Sequence, residues 1–327
     1  MRPIGIAVGA CVALVWLSVP AARAQDWPTR PIKIVTPLAA GGAADAIGHA
    51  VGDAFTAATK LPMVIDNRPG GGGTLAAVTV ARAEPDGTTL LLGTAAALNV
   101  APVLAKNFPA DLVAGLTPLT LAVELPMCLV VNKSLPINSV PDLIAYLKAR
   151  PGAVNFGSSG RATSDLLAAA RFMLQTGTKM VDVPYAGGGQ ALSDMMAGST
   201  QVMFPQLPAV LGLINSGQVR ALAVTSARRL SQLPDVPTLS ESGLPGFHVT
   251  SWNELFGPRG LPDDVRDLLS RTLVDAIRND HEIREKMLAL GVEPVGEGSA
   301  RAEAFFDEEL TRWKDVIDRA GIKLEQP

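Results

Sequence analysis

Apolar and polar positions along the chain alternate in blocks that predict strands and helices in turn. The apolar segment PIKIV at residues 31–35 precedes a stretch from 44 to about 60 whose apolar residues recur at helical spacing. PMVIDN at 62–67 is followed by glycines and a helix through 83, and TTLLLGT at 88–94 is followed by AAALNVAP. Short apolar strands separated by helices predict βαβ units and a parallel sheet that is buried on both faces.

A second series of the same kind begins near residue 127 and predicts a second α/β unit. Its strands are expected at MCLVVN, VNFGSS, MVDVPY, QVMFP and VRALAVTS, with helices at 140–150, 163–175 and 189–197. The turn-rich stretch 230–246 is typical of a return connection, and helices follow from 261 and over 301–320. This order predicts an α/β fold with two lobes, the first formed by residues 25–125 and 250–327 and the second by residues 126–249.

The first residues of the chain have the pattern of a secretory signal peptide, predicted over residues 1–24. Arg2 gives a positive start, residues 4–19 are almost entirely apolar, and Ala22, Arg23 and Ala24 form a cleavage signal. Cleavage after Ala24 would leave 327 − 24 = 303 residues, and the loss of two arginines would change the net charge from −3 to −3 − 2 = −5. We therefore expect an exported, mildly acidic protein with no electrostatic reason to bind nucleic acid or anionic lipid.

Few residues carry catalytic or metal-binding chemistry. The three histidines, His49, His248 and His281, have no partner at metal-ligand spacing, and no H-E-x-x-H, C-x-x-C or G-x-S-x-G motif occurs. We expect no metal, no cofactor and no catalytic residue. Cys128 lies in an apolar run and is expected to be a buried thiol. Glu124, near the predicted lobe junction, is either a paired acid, which we favour, or a ligand contact.

Turns of small residues follow several of the predicted strands and lead into helices. In open parallel sheets such turns gather at the carboxyl ends of strands, where ligands bind, and helix N-termini there attract anions. The spacing fits neither a P-loop nor a dinucleotide fingerprint, so we expect an anion cleft that does not hold a nucleotide. The turns are at residues 39–42, Thr94, residues 157–160 before Thr163 and Ser164, and residues 185–189.

Segments along essentially the whole mature chain resemble one family. They include IKIVTPLAAGGAAD, VIDNRPGGGG, NFGSSGRATS, VPYAGGGQALSDMMAG, LPDVPTLSESGLPGF and GVEPVG. Together they resemble the Bug receptors, the periplasmic solute-binding proteins associated with tripartite tricarboxylate transporters. The resemblance implies a type II periplasmic-binding-protein fold, with two Rossmann-like lobes and a carboxylate ligand in the cleft between them. It also implies that backbone N–H groups, hydroxyls and bridging waters hold the carboxylate, with little use of basic side chains.

The turns and the resemblance together define the expected ligand-binding residues. Asp45 has a second interpretation, because an acid in the first turn of a helix favours the helix dipole wherever it points. The glycine run 70–73 is expected to form a rigid turn. The first wall of the cleft would comprise Leu38, Ala39, Gly41, Gly42, Asp45 and Thr94, and the second Ser158, Ser159, Thr163, Ser164, Tyr185, Gly187 and Gln206.

The chain departs from the family pattern at positions outside the expected carboxylate clamp. His49 stands where the family usually has arginine, and Ala186 where it has lysine. Ala162 and Leu166 replace a glycine and a histidine, and Pro205 replaces an acid. The sequence therefore predicts the anionic end of the ligand better than the identity of the rest.

The sequence as a whole predicts an extracytoplasmic receptor rather than an enzyme. It would be a monomer that captures a small organic acid in the periplasm and presents it to membrane permease subunits. One alternative is a ligand-sensing partner of a signalling protein, with the same lobes and another docking surface. Another is an exported hydrolase that uses Ser158 or Ser159, although a serine nucleophile needs a base within hydrogen-bond reach and no histidine lies in a second-lobe cleft loop.

Overall fold

The computed structural model describes residues 30–37, 40, 43–104, 108–109, 111–160 and 163–322, and the statements below concern these residues. The predicted signal peptide, its cleavage after Ala24 and the site residues Leu38, Ala39, Gly41 and Gly42 lie outside the described residues. None of the helices within the described ranges has the length and apolar character needed to cross a membrane.

The first sheet has six strands in the order β11-β4-β10-β3-β1-β2. One face packs against α1, α9 and α10, and the other against α2, α11 and a short π-helical segment, Ala96–Val100. The strands are β1 (Ile32–Thr36), β2 (Met63–Asn67), β3 (Thr89–Thr94), β4 (Leu116–Pro126), β10 (Thr250–Pro258) and β11 (Glu293–Gly298). The helices of this part are α1 (Ala43–Thr59), α2 (Thr74–Ala81), α3 (Ala101–Leu104), α4 (Asp111–Ala114), α9 (Asp263–Asn279), α10 (His281–Ala289) and α11 (Ser299–Ala320).

The second sheet has five strands in the order β7-β6-β8-β5-β9. Its core includes Cys128, which is buried as expected, and burial raises the pKa of this thiol to about 12. The strands are β5 (Cys128–Asn132), β6 (Asn155–Ser158), β7 (Val181–Pro184), β8 (Val202–Met203) and β9 (Val219–Val224). The helices are α5 (Val140–Ala149), α6 (Ser164–Thr176), α7 (Gly188–Ala197) and α8 (Leu207–Asn215).

Both sheets are mixed, so the expectation of parallel sheets holds for only part of each. Strands β1, β2 and β3 are parallel, as are β6, β7 and β8, but β10 is antiparallel to β3 and β4. The chain returns from the second sheet at the edge where β3 ends, so β10 must run in the opposite direction. Burial on both faces also fails at the sheet edges, where Val64 of β2 and Val181 of β7 are exposed.

Three segments connect the two sheets. The chain passes from β4 to β5 at Met127 and returns through residues 225–249 into β10. Helix α11 is the third connection, because its first half contributes Phe305 and Phe306 to the core of the first sheet. Its second half contributes Trp313 and Ile317 to the core of the second sheet. This helix therefore packs against both halves of the molecule.

Candidate functional site

The carboxyl ends of three parallel strands bring part of the predicted site together in the first sheet. Thr36 ends β1, Asn67 ends β2 and Thr94 ends β3. The Asn67 side-chain nitrogen Nδ2 donates to Thr36 Oγ1 and to Asp45 Oδ1, both at 2.8 Å. Asp45 lies in the first turn of α1 and is 8% exposed. Its carboxylate therefore both lies at a helix N-terminus and accepts a hydrogen bond from the neighbouring strand.

His49 lies one turn after Asp45 on the same helix. Its Nε2 is 3.8 Å from Asp45 Oδ1, and its side chain is 62% exposed. An ion pair at this distance with one exposed partner is a weak interaction. His49 therefore adds little to the position of Asp45 beside the hydrogen bond from Asn67.

The glycine run after β2 forms a tight turn at the same edge of the sheet. All four glycines at 70–73 have positive φ, a conformation that favours glycine. A Cβ atom on Gly73 would lie 2.6 Å from Ala97 Cβ and 3.1 Å from Pro37 Cβ. Thr94 Oγ1 accepts a hydrogen bond from Ala97 N at 3.3 Å, so its hydroxyl faces the segment that follows β3. The close approach at Gly73 agrees with the expectation that residues 70–73 form a rigid turn.

The second sheet gathers a further group of predicted residues at the ends of β6 and β7. Ser158 is fully buried at the end of β6, and its hydroxyl donates to Asp182 Oδ1 of β7 at 2.7 Å. The next backbone N–H, of Ser159, donates to Asp165 Oδ2 at 2.6 Å. Asp165 is buried in the first turn of α6. Two acids that the sequence did not single out therefore accept the hydrogen bonds of these two serines.

Thr163 and Ser164 begin α6. Thr163 is the N-cap residue by position, but its hydroxyl donates to Gly160 O at 2.8 Å and makes no capping hydrogen bond. Ser164 is the first helical residue and is buried. The first backbone N–H groups of a helix have no backbone partner within the helix, and in α6 that of Leu166 donates to Asp165 Oδ1 at 3.0 Å.

The turn after β7 lies against the turn after β6. Tyr185 N donates to Ser158 O at 3.0 Å, and the Tyr185 hydroxyl donates to Asp194 Oδ2 of α7 at 2.9 Å. Desolvation and this hydrogen bond raise the pKa of Tyr185, so the phenol stays neutral. A Cβ atom on Gly187, the N-cap residue of α7, would meet nothing within 4 Å. Helices α6 and α7 pack on opposite faces of the second sheet, and both begin at the edge where β6 and β7 end, with open space at Gly187.

Gln206 is placed beside the crossing between the two sheets. It is half-buried, precedes α8 and forms an isolated β-bridge with Met127. The neighbouring Pro205 O accepts a hydrogen bond from Cys128 N at 2.9 Å. Gln206 and Pro205 are therefore paired with the segment in which the chain passes from β4 to β5.

The hydroxyls expected to bind an anion have protein acceptors in this conformation. Those of Ser158, Thr163 and Tyr185 donate to Asp182, Gly160 O and Asp194, respectively. The donors best placed for an anionic ligand are therefore the backbone N–H groups at the starts of α6 and α7. Sequence reasoning missed Asn67, Asp165, Asp182 and Asp194, and the only local signal was the position of Asn67 at the end of a strand.

Each of the three histidines has an acidic side chain as its neighbour. His49 is beside Asp45, His281 Nε2 is 4.0 Å from Glu285 Oε1, and His248 Nε2 is 3.9 Å from Glu124 Oε2. The partner of the Ser158 hydroxyl is an aspartate. This arrangement supplies no Ser–His pair for the hydrolase alternative. Within the described ranges, no group of three or more His, Cys, Asp or Glu is placed to hold a metal ion.

A charged cluster lies where the connections between the sheets meet. Arg171 of α6 donates to Gly246 O at 2.8 Å and to His248 O at 2.9 Å, in the returning segment. Burial, with the charges of Arg312 and Arg171, lowers the pKa of His248 to about 4. Burial and the charges of Glu297 and Glu293 raise the pKa of Glu124, which lies 3.9 Å from His248. His248 is protonated only where Glu124 is also protonated, so this contact is not an ion pair and does not support the paired-acid interpretation.

A cavity of about 300 Å³ adjoins this cluster, between α6 and α11. Arg171 and Gln175 line it from the second half of α6, about 10–17 Å along the helix from Ser164. Its arginines already have protein partners, such as Asp315 for Arg319. This cavity is therefore separate from the turns at the ends of β6 and β7.

Comparisons with known proteins agree with the geometry. A family model described as "Tripartite tricarboxylate transporter family receptor" matches residues 49–322. Protein BugT of Bordetella pertussis is 32% identical over 319 residues, which cover 97% of each chain. The structure of R. palustris Rpa4515 with adipate is 32% identical, with a TM-score of 0.79 over 91% of this chain and 99% of that one. The structure of periplasmic binding protein BugD is 30% identical, with a TM-score of 0.74 over 91% and 99% of the two chains.

Proposed function

The chain belongs to the tripartite tricarboxylate transporter family of Bug-type periplasmic receptors, and we propose that it binds a small organic carboxylate and delivers it to a membrane permease. The observation that carries the proposal is that α6 and α7 both begin at the edge of the second sheet where β6 and β7 end, next to Ser158 and Ser159. Helix N-termini attract anions because their first N–H groups are unpaired and carry partial positive charge. The adipate bound to the related Rpa4515 is an anion of this class.

The proposed carboxylate site uses both lobes. In the second lobe, the backbone N–H groups of Thr163, Ser164 and Gly187 supply donors, and Ser159 supplies its hydroxyl, because its backbone N–H is taken by Asp165. Ser158 and Tyr185 shape that wall while their hydroxyls stay with Asp182 and Asp194. The facing wall comprises Leu38, Ala39, Gly41, Gly42, Asp45 and Thr94, and Gln206 closes the site beside the crossing segments.

The proposed lobes meet at that site. Residues 25–125 and 250–327 form the first lobe, and residues 126–249 form the second, with α11 packed against both. The mature protein acts in the periplasm as a monomer after cleavage of residues 1–24. It performs no chemistry on its ligand.

Transport is tested separately from binding. Calorimetry on residues 25–327 with adipate, succinate, malate, glutamate and aromatic acids identifies the ligand. Uptake of that ligand, isotopically labelled, is then measured in cells of the source organism that lack this chain. We expect uptake to fall to background and to return when the chain is restored. Normal uptake without the chain would contradict delivery and favour a sensing role.

A further inference from the structure

Asn67 connects a strand end and a helix start on the proposed first-lobe wall. It pairs with Thr36 in the β1–β2 register, and the next residue, Arg68, continues the ladder by donating its N–H to Thr36 O at 2.8 Å. A side-chain amide has two N–H donors on one nitrogen. In Asn67 that nitrogen donates to Thr36 Oγ1 and to Asp45 Oδ1. One amide group thus bridges the end of β1 and the first turn of α1.

The bridge matters because both of its acceptors are buried. Thr36 is fully buried, and Asp45 is 8% exposed. A buried carboxylate needs hydrogen-bond donors, and donors to a charged acceptor form the stronger bonds. Exposed His49, at 3.8 Å, is a poor substitute for the amide. Asn67 therefore contributes a direct hydrogen bond that holds Asp45, and with it the first turn of α1, against the end of β2.

We propose that Asn67 is a positioning residue for the carboxylate site: it fixes the N-terminus of α1 against the ends of β1 and β2. This inference rests on the proposed function, in which the start of α1 belongs to the ligand-binding wall. Asn67 acts through Thr36 and Asp45. A shift of the α1 N-terminus by a fraction of an ångström is enough to weaken hydrogen bonds to a bound anion.

The sharpest test is Asn67→Asp, which keeps the shape of the side chain and replaces the donor with a second carboxylate. At pH 7.5 the new carboxylate and Asp45 repel each other, and we expect affinity for the identified carboxylate to fall at least tenfold. Two adjacent carboxyls share a proton at lower pH. The ratio of wild-type to variant affinity should therefore shrink to about threefold or less at pH 5. Asn67→Ala removes the donor without adding charge, so its loss of affinity should not recover with acid.

Asn132→Asp is the matched control. Asn132 is also a buried asparagine at a strand end, and it donates to Met195 O. It ends β5, which is antiparallel to β8, so it lies at the edge of the second sheet opposite the carboxyl ends of β6 and β8. We expect this variant to lose stability and to bind the carboxylate with wild-type affinity. Wild-type affinity in folded Asn67 variants, a pH-independent loss in Asn67→Asp, or an equal loss in Asn132→Asp would overturn the proposal.

Hydrogen exchange of the ligand-free protein separates this proposal from the proposed function. Amides in the first two turns of α1 should exchange faster in Asn67→Ala than in wild type, while those of α6 are unchanged. Unchanged exchange in α1 would overturn the positioning role even if affinity fell. If the exchange changes and wild type binds no carboxylate, the proposed function is wrong and the role of Asn67 in holding α1 stands.

Discussion

The Ser158 hydroxyl donates a 2.7 Å hydrogen bond to Asp182 on the neighbouring strand. Ser158→Ala removes one hydrogen-bond donor from the half-buried Asp182 carboxylate. We expect the free energy of unfolding to fall by about 1–2 kcal/mol, and ligand affinity to change by less than about threefold. Urea unfolding and calorimetry measure the two effects. A tenfold loss of affinity at unchanged stability would show that the hydroxyl turns to the ligand.

Thr163 offers the opposite case, since its hydroxyl faces a backbone carbonyl that a carboxylate can replace. Thr163→Val keeps the shape and removes the donor, so we expect a loss of about 1.5–3 kcal/mol in binding free energy. Thr163→Ser retains the hydroxyl and should bind nearly normally. If Thr163→Val binds with wild-type affinity and loses only about 1 kcal/mol of stability, the Thr163 hydroxyl serves only to hold the turn after β6 through Gly160 O.

Glu309 gives a pH dependence of stability. It is 1% exposed, and burial raises the pKa of its carboxyl to about 7. Arg312, Trp313, Glu124 and Arg171 are the groups that act on it. Between pH 4.5, the ordinary pKa of a glutamate, and about 7, the folded protein keeps a proton that the unfolded chain has lost. This contribution to stability is therefore lost as the pH rises through that window, and it amounts to about 3 kcal/mol.

His248 works in the opposite direction. Its pKa of about 4 in the folded protein means that between 4 and 6.5 only the unfolded chain is protonated there, so stability falls as the pH falls. At pH 8, Glu309→Gln should therefore have a larger free energy of unfolding than wild type, and its fall in stability at acidic pH should be easier to see. In His248→Asn, the fall in stability between pH 6.5 and 4 should disappear. Urea unfolding at pH 5, 6.5 and 8 distinguishes them. Identical pH profiles for wild type and Glu309→Gln would contradict this account of the cluster.

Gly73 and Gly72 form a matched pair for the close approach at the first-lobe edge. A methyl group on Gly73 would collide with Ala97 and Pro37, whereas one on Gly72 meets nothing within 4 Å. Both positions have positive φ, which costs an L-residue about 1–2 kcal/mol. Gly73→Ala should therefore be more destabilising than Gly72→Ala by about 1–3 kcal/mol in thermal or urea unfolding. Equal losses would mean that the turn relaxes freely.

The sequence predicts helices better than it predicts the neighbours of a strand. The helix expected at 163–175 is Ser164–Thr176, and that expected at 301–320 is Ser299–Ala320, because helical spacing is a local property. The antiparallel course of β10 depends on contacts with β3, which lies about 160 residues earlier in the chain. Local patterns carry no information about such a pairing.

The same limit applies to the site. Turns at the ends of β6 and β7 follow from small residues after apolar strands, and the structure brings Ser158, Ser159 and Tyr185 together there. The acceptors of their hydrogen bonds depend on register, as Ser158 shows, because Asp182 becomes its partner only when β6 and β7 align. Asn67 reaches Asp45 for the same reason, through the pairing of β1 with β2.

Titration calorimetry with adipate, its diamide and its dimethyl ester on residues 25–327 tests the central claim most directly. The three molecules share a carbon chain and differ in the charge that helix N-termini should recognise. We expect the family's type of ligand, a carboxylate, to bind at least a hundredfold more tightly than its neutral analogues, a difference of about 2.7 kcal/mol. If adipate is too long or too short for this pocket, succinate and malate with their own diamides replace it in the same comparison. Equal or tighter binding of the neutral analogues would contradict an anion site built from these turns.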